Sequence, residues 1–269
     1  MVEKGDGPTV VMIPGIQGRW EWIEPAVTSL ATRCRVISDS LAGDRGSVAD
    51  IDPSQGFDSY LEWVDTLLDR AKVERAAICG VSYGGLVALH YAACRSRRVS
   101  SLILVSTPSP RWKPSCQVER YLRAPLLMSP IFALSSPFRL YPEIVQAFPH
   151  RSSRGRFAVK HLYRVTRSPC APRRMAQRVR LLDGVDLHGD CLRVTAPTLV
   201  VTGVAGLDRV VPVDSTREYL SAIPGASHAQ IEGTGHIGLV TKPERFSDIV
   251  GRFVEGGRER QRLPIQVSA

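Results

Sequence analysis

The chain has 269 residues, with 43% apolar and 23% charged side chains, a size and balance suited to one large folded domain or a domain carrying an insertion. No charged-then-apolar leader opens the sequence, and no run of about 18 apolar residues interrupts it, so neither secretion nor a membrane span is expected and a cytoplasmic location follows. The net charge of +9 is local, because residues 108–193 hold 16 Lys and Arg against 5 Asp and Glu while the rest of the chain is slightly acidic.

Thr9 to Ile13 is a short β-branched run that stops at Pro14-Gly15, which reads as a buried strand entering a loop. Trp20 to Thr32 has helical spacing, and Arg35 to Ser38 is a second strand followed by a loop with Gly43, Gly46 and Pro53. From Phe57 to Ala71 the residues Tyr60, Leu61, Val64, Leu67 and Leu68 fall on one helical face. A strand ending near Val81, a helix beginning near Leu86 and a strand over Val99 to Val105 complete an alternation that predicts parallel βαβ units in a doubly wound sheet.

After Thr107 the pattern changes to prolines, arginines and helical apolar patches, so residues 108–193 are expected to form a helical, basic insertion between the core segments 1–107 and 194–269. Pro197 to Thr202 restores a strand, Val213 to Ile223 a helix, His228 to Glu232 a last strand and Pro243 to Val254 a closing helix, with a polar tail from Glu255 expected to fray. The basic residues carry no nucleic-acid motif, so nucleic acid is not an expected partner. The six cysteines are scattered, with no C-x-x-C pair and no clustered histidines, so neither a zinc site nor a disulfide framework is expected.

The densest chemistry lies in Gly80-Val81-Ser82-Tyr83-Gly84, where an apolar strand breaks into a serine flanked by two glycines and then into a helix. Without Cβ atoms at Gly80 and Gly84 the strand and helix can approach closely enough to hold Ser82 in a sharp turn with its hydroxyl projecting. This G-x-S-x-G arrangement, in its strand–turn–helix context, resembles the nucleophile elbow of the α/β-hydrolase-fold serine hydrolases, and the resemblance covers nearly all of the chain except the insertion.

That resemblance implies an α/β-hydrolase fold without cofactor or metal, in which 108–193 is a cap. It implies that Ser82 is the nucleophile, His236 in the glycine-rich Glu232 to Gly238 loop the base, and Asp208, 28 residues earlier, the acid. His228 is the rival base, although it begins the last strand instead of following it. The position after the preceding strand, where some relatives carry the acid, reads Ser106-Thr107-Pro108-Ser109 and offers no carboxylate. The oxyanion hole is expected from the backbone N–H groups of Ile16 and Tyr83.

Two departures stand out. Relatives have His-Gly where this chain has Pro14-Gly15, so the loop must be braced differently, with Gln17 a candidate. Only about eight residues precede the first strand, so the expectation is either a sheet of about six strands lacking the family's opening hairpin or upstream sequence that is missing here. The implied activity is hydrolysis of a carboxylic ester or thioester of a small to medium acyl or aromatic molecule, with carbon–carbon bond hydrolysis, cofactor-free haloperoxidase chemistry or a non-catalytic binding role as alternatives. An apolar underside over the serine with a basic outer face would suit a substrate bearing an anionic handle, although an arginine-rich face is also simply a solvated surface.

Overall fold

The computed structural model describes residues 1–262, with side chains through residue 256. Strands β1 (Val2–Lys4) and β2 (Thr9–Ile13), helix α1 (Glu24–Leu30) and β3 (Arg35–Ser38) open the chain. They are followed by α2 (Ser59–Arg70), β4 (Ala76–Val81), α3 (Tyr83–Cys94) and β5 (Val99–Val105). Four helices leave the sheet before it resumes: α4 (Cys116–Arg123), α5 (Pro125–Ala147), α6 (Arg151–Arg167) and α7 (Pro172–Leu181). The remainder is α8 (Leu187–Arg193), β6 (Thr198–Thr202), α9 (Val213–Arg217), α10 (Tyr219–Ala222), β7 (Ser227–Gln230), α11 (Gly238–Thr241) and α12 (Pro243–Arg262).

The seven strands lie in the order β1-β3-β2-β4-β5-β6-β7, all parallel except β1, which runs antiparallel to β3. The six parallel strands match the expected core. The seventh is β1, whose three residues Val-Glu-Lys are too short and too charged to read as a strand in sequence. It pairs with β3 and not with β2, so no hairpin forms. A short charged strand at the sheet's edge also discourages further pairing.

Alternation along the strands sorts the core into two layers. Val11, Ile13, Ile37, Ile78, Leu102 and Val200 face one side, packing with the apolar faces of α2 and α3. Val10, Met12, Val36, Cys79, Ile103 and Val201 face the other, against α1 and α12. Because both faces are covered, the central β4 is buried at all six residues, which is why it appears in sequence as an unbroken apolar run.

Helix α8 packs against α3 and buries Leu187 and Cys191 in the first of these layers, so residues 187–193 of the expected insertion lie against the sheet's own helices. Helix α12 carries the chain regularly through Arg262, beyond the point where fraying was expected. Residues 263–269 of that tail lie outside the described part. The cysteines are free thiols, and Cys34, Cys79 and Cys191 are buried. No described helix is long and apolar enough to cross a membrane.

Candidate active site

In a parallel sheet the loops that follow successive strands gather at one edge, the carboxyl ends of the strands. Ile16 follows β2, Ser82 follows β4, Asp208 follows β6 and His236 follows β7, so the fold delivers all four to that edge.

Ser82 sits between β4 and α3 at φ 53° and ψ −121°, a conformation that a residue with a Cβ adopts only under constraint. Its N–H donates to the Val105 carbonyl at 2.8 Å, and its carbonyl accepts from Gly85 N–H at 2.8 Å, which pins the turn from both sides. A Cβ on Gly80 would collide with the Gly84 carbonyl, and one on Gly84 would collide with the carbonyls of Ile13 and Pro14. The two glycines therefore set the close approach that forces the turn. Ser82 is 9% exposed, and among the described residues its hydroxyl makes no hydrogen bond.

His236 Nδ1 lies 3.1 Å from Asp208 Oδ2. The other carboxylate oxygen of Asp208 accepts the N–H groups of Val210 at 3.0 Å and Val211 at 2.8 Å, so the carboxylate is fixed by its own turn. The loops bearing the two residues are joined by Val204 N–H donating to the Thr234 carbonyl at 2.8 Å. His228 makes a different contact, from Nε2 to the Thr202 hydroxyl at 2.9 Å, and burial followed by the charge of Arg217 lowers its pKa. The structure thus brings His236 and Asp208 together, while among the described residues no hydrogen bond joins His236 to Ser82.

Tyr83 is the first residue of α3, where backbone N–H groups have no acceptor within their own helix. The Pro14 to Gly18 loop is closed by Gly18 N–H donating to Gly15 O at 2.8 Å, and a Cβ added to Gly15 would lie 3.6 Å from the Ser82 Cβ. Gln17 does not brace this loop: among the described residues its amide makes no hydrogen bond.

The brace is Arg178, on α7. Its Nη1 donates to Ile16 O at 2.8 Å, its Nη2 ion-pairs with the buried Asp44, and its own carbonyl accepts from the Tyr83 hydroxyl at 2.9 Å. One residue outside the sheet therefore holds both positions expected to supply oxyanion donors. Sequence reasoning missed it because Arg178 is one basic residue among many in its segment.

Glu143, on α5, was missed as well. It is fully buried, and both carboxylate oxygens accept the Ile237 N–H at 3.1 Å, one residue past the histidine. Burial pushes its pKa up to about 7, with the backbone N–H groups of Gly235 and Ile237 and the nearby His236 opposing the shift. A signal was present in composition, since Glu143 is the only acid between Arg120 and Leu182, a stretch with 13 Lys and Arg.

A second ionisable cluster lies on α3 and α8, where His90, Cys94 and Asp190 could in principle gather round a cation. His90 Nδ1 contacts Asp190 at 2.8 Å and Nε2 contacts Asp58 at 2.9 Å. With a carboxylate on each ring nitrogen, the arrangement fits a doubly donating imidazolium and not a metal ligand. Burial alone would lower the His90 pKa, but the bonds to Asp190 and Asp58 raise it overall.

A doubly wound, mostly parallel sheet with a strained serine after its central strand and a paired acid and histidine at the same edge defines an α/β-hydrolase architecture. The chain belongs to the alpha/beta hydrolase family, whose model matches residues 10–249. A relative from Pseudomonas syringae pv. syringae (strain B728a), named "Putative carbamate hydrolase RutD", is 24% identical over 259 residues, covering 94% of this chain and 95% of the relative. Among solved structures, the enol-lactonase from Burkholderia xenovorans LB400 superposes with a TM-score of 0.75 at 22% identity, covering 94% of this chain and 95% of that one. The meta-cleavage product hydrolase CumD from Pseudomonas fluorescens IP01 gives 0.68 at 19% identity, covering 95% and 93%.

Proposed function

We propose that the protein is a cytoplasmic serine hydrolase that cleaves a carboxylic ester or thioester through an acyl-enzyme. The observation that carries this reading is the 3.1 Å pairing of His236 with Asp208 at the sheet edge where Ser82 is held in a strained turn. In this mechanism Nε2 of His236 takes the Ser82 proton as the hydroxyl oxygen attacks the substrate carbonyl carbon. Asp208 holds the Nδ1–H tautomer and stabilises the imidazolium. The N–H groups of Ile16 and Tyr83 receive the developing oxyanion, and the imidazolium returns the proton to the departing alcohol or thiol. Water, deprotonated by His236, then releases the acid and restores Ser82.

Residues 108–186, capped onto the site by Arg178 and Glu143, form the roof of the substrate pocket in this reading. Arg139 lies one helical turn before Glu143 on α5, half-buried over the Phe132 ring at 4.9 Å. Its buried Nε is unpaired, it has no acidic partner among the described residues, and burial lowers its pKa. An anionic group on the substrate would compensate it.

Reaction of Ser82 with a fluorophosphonate probe, and turnover of a panel of p-nitrophenyl esters from acetate to palmitate, test the proposal. Labelling and turnover that both disappear in Ser82→Ala are expected. Labelling without ester turnover shifts the chemistry to a carbon–carbon or carbamate bond, and no labelling at any pH overturns the catalytic reading in favour of a binding role. The anionic handle predicts that salt raises KM for charged esters and leaves neutral esters unaffected.

A further inference from the structure

Helix α5 is inverted. Its inner face carries Ser135, Ser136, Arg139 and Glu143, whereas its outer face presents Leu127, Ile131, Leu134, Phe138 and Tyr141 to solvent. The exposures of 75% at Leu127, 72% at Leu134 and 78% at Phe138 are those of side chains that touch almost nothing. The spacing of four and three residues aligns them in one stripe about 21 Å long. Every other exposed position of α5 between Leu126 and Tyr141 is also apolar, being Leu126, Pro130, Ala133 and Pro137. An apolar surface of this extent, with no charged side chain among its exposed positions, marks a contact site.

The charge around the stripe says what covers it. Arg120 and Arg123, exposed on α4, precede its amino end, and Arg151, exposed at the start of α6, follows its carboxyl end. Helix α6 repeats the theme, with exposed Val159, Leu162 and Tyr163 interleaved with exposed Arg156 and Lys160. The acid nearest in sequence on the exposed surface is Glu119, and the only acid within α5 or α6, Glu143, is buried on the opposite side.

We infer that the outer face of α5 is a membrane-docking surface, which seats its apolar stripe in the interface of an anionic lipid bilayer while the cations that flank the helix in sequence meet the headgroups. This is the pattern of an interfacial amphipathic helix: an apolar ridge for the acyl boundary and cations for anionic lipid. A second copy of the chain is disfavoured, because apposing two such faces would bring like-charged rims together. The inference goes beyond the hydrolase reading and adds that the substrate is drawn from the membrane phase: the helix whose outer face enters the lipid touches the histidine loop with its inner face.

The test is flotation of the full chain with vesicles of phosphatidylcholine alone and with about 30% phosphatidylglycerol. The expected result is binding to the anionic vesicles at least about tenfold tighter than to neutral ones, weakened by high salt. In Leu134→Glu/Phe138→Glu, whose substitutions fall on exposed side chains, binding drops at least about tenfold with an unchanged melting temperature. Absence of vesicle binding, or equal binding to both compositions, overturns the inference. So does a wild-type dimer by light scattering that the double substitution converts to monomer, because the stripe is then covered by a second copy. Vesicle binding is read on Ser82→Ala as well as wild type, so its outcome stands apart from that of the hydrolase proposal.

Discussion

Both carboxylate oxygens of Glu143 lie 3.1 Å from the backbone nitrogen of Ile237, so a helix outside the sheet grips the loop that carries His236. A buried carboxyl whose folded pKa stands at about 7, above its ordinary value of 4.5, binds its proton more tightly folded than unfolded. Stability from this group is therefore full at low pH and falls as pH rises from the unfolded value through about 7. Glu143→Gln should flatten that decline, making the variant less pH-sensitive than wild type between those limits by up to about 3 kcal/mol in urea unfolding. Parallel stability curves for the two proteins would show that Glu143 does not titrate there.

Asp208→Asn keeps an oxygen for the Val210 and Val211 amides but offers His236 an amide where a carboxylate stood. The expected result is a native melting temperature with turnover lowered by roughly four orders of magnitude, the scale seen when a triad carboxylate becomes an amide. A loss smaller than about tenfold would mean that the carboxylate does not orient the base.

Arg178 bonds both to the buried Asp44 and to the Ile16 carbonyl, so its replacement can be read out in stability and in turnover separately. Arg178→Met strips the buried Asp44, whose pKa burial already raises, of the partner that opposes that shift and should cost about 3–5 kcal/mol, much of it recovered in Arg178→Met/Asp44→Leu. In the stabilised double variant the Ile16 carbonyl still lacks its donor, so kcat should stay low, by about ten- to a hundredfold, with KM little changed. Recovery of stability and kcat together would assign Arg178 a packing role alone.

The His90 cluster has the same sign of pH dependence as Glu143, since its pKa too is raised by folding. Because bonds to Asp190 and Asp58 outweigh burial and raise its folded pKa, the stability it contributes is present below the unfolded histidine value and disappears as pH rises through the folded one. His90→Gln should remove this dependence above the ordinary histidine range. Identical pH–stability curves above that range would show that the imidazolium is not held.

The inner parallel strands were legible because each is buried on both faces and so reads as an apolar run bounded by turns, as Val99–Val105 does, whereas the edge strand β7 is half-buried and mostly polar. The elbow was legible because its geometry demands two glycines at fixed spacing. What sequence could not supply are the contacts made by α5 and α7 across the sheet's edge. Arg178 reaches Ile16 over 162 positions and Glu143 reaches Ile237 over 94. No local periodicity encodes such distances. Strand β1 escaped for another reason, since three residues are too few to show alternation. The exposed stripe of α5 was visible in the sequence as Pro125 to Met128 and Pro130 to Leu134, but apolar residues at helical spacing ordinarily face inward, and here they do not.

The position of β7 has a consequence for the order in which the molecule assembles. Among the described strands this last one pairs with β6 alone, and the loop after it carries His236 to the sheet edge where Ser82 lies. Closing that distance is the kind of non-local event that comes late on a folding route. During refolding, reactivity at Ser82 should emerge in the slowest phase, after most helical signal has returned, so that the nucleophile stays silent until the last edge of the sheet is in place.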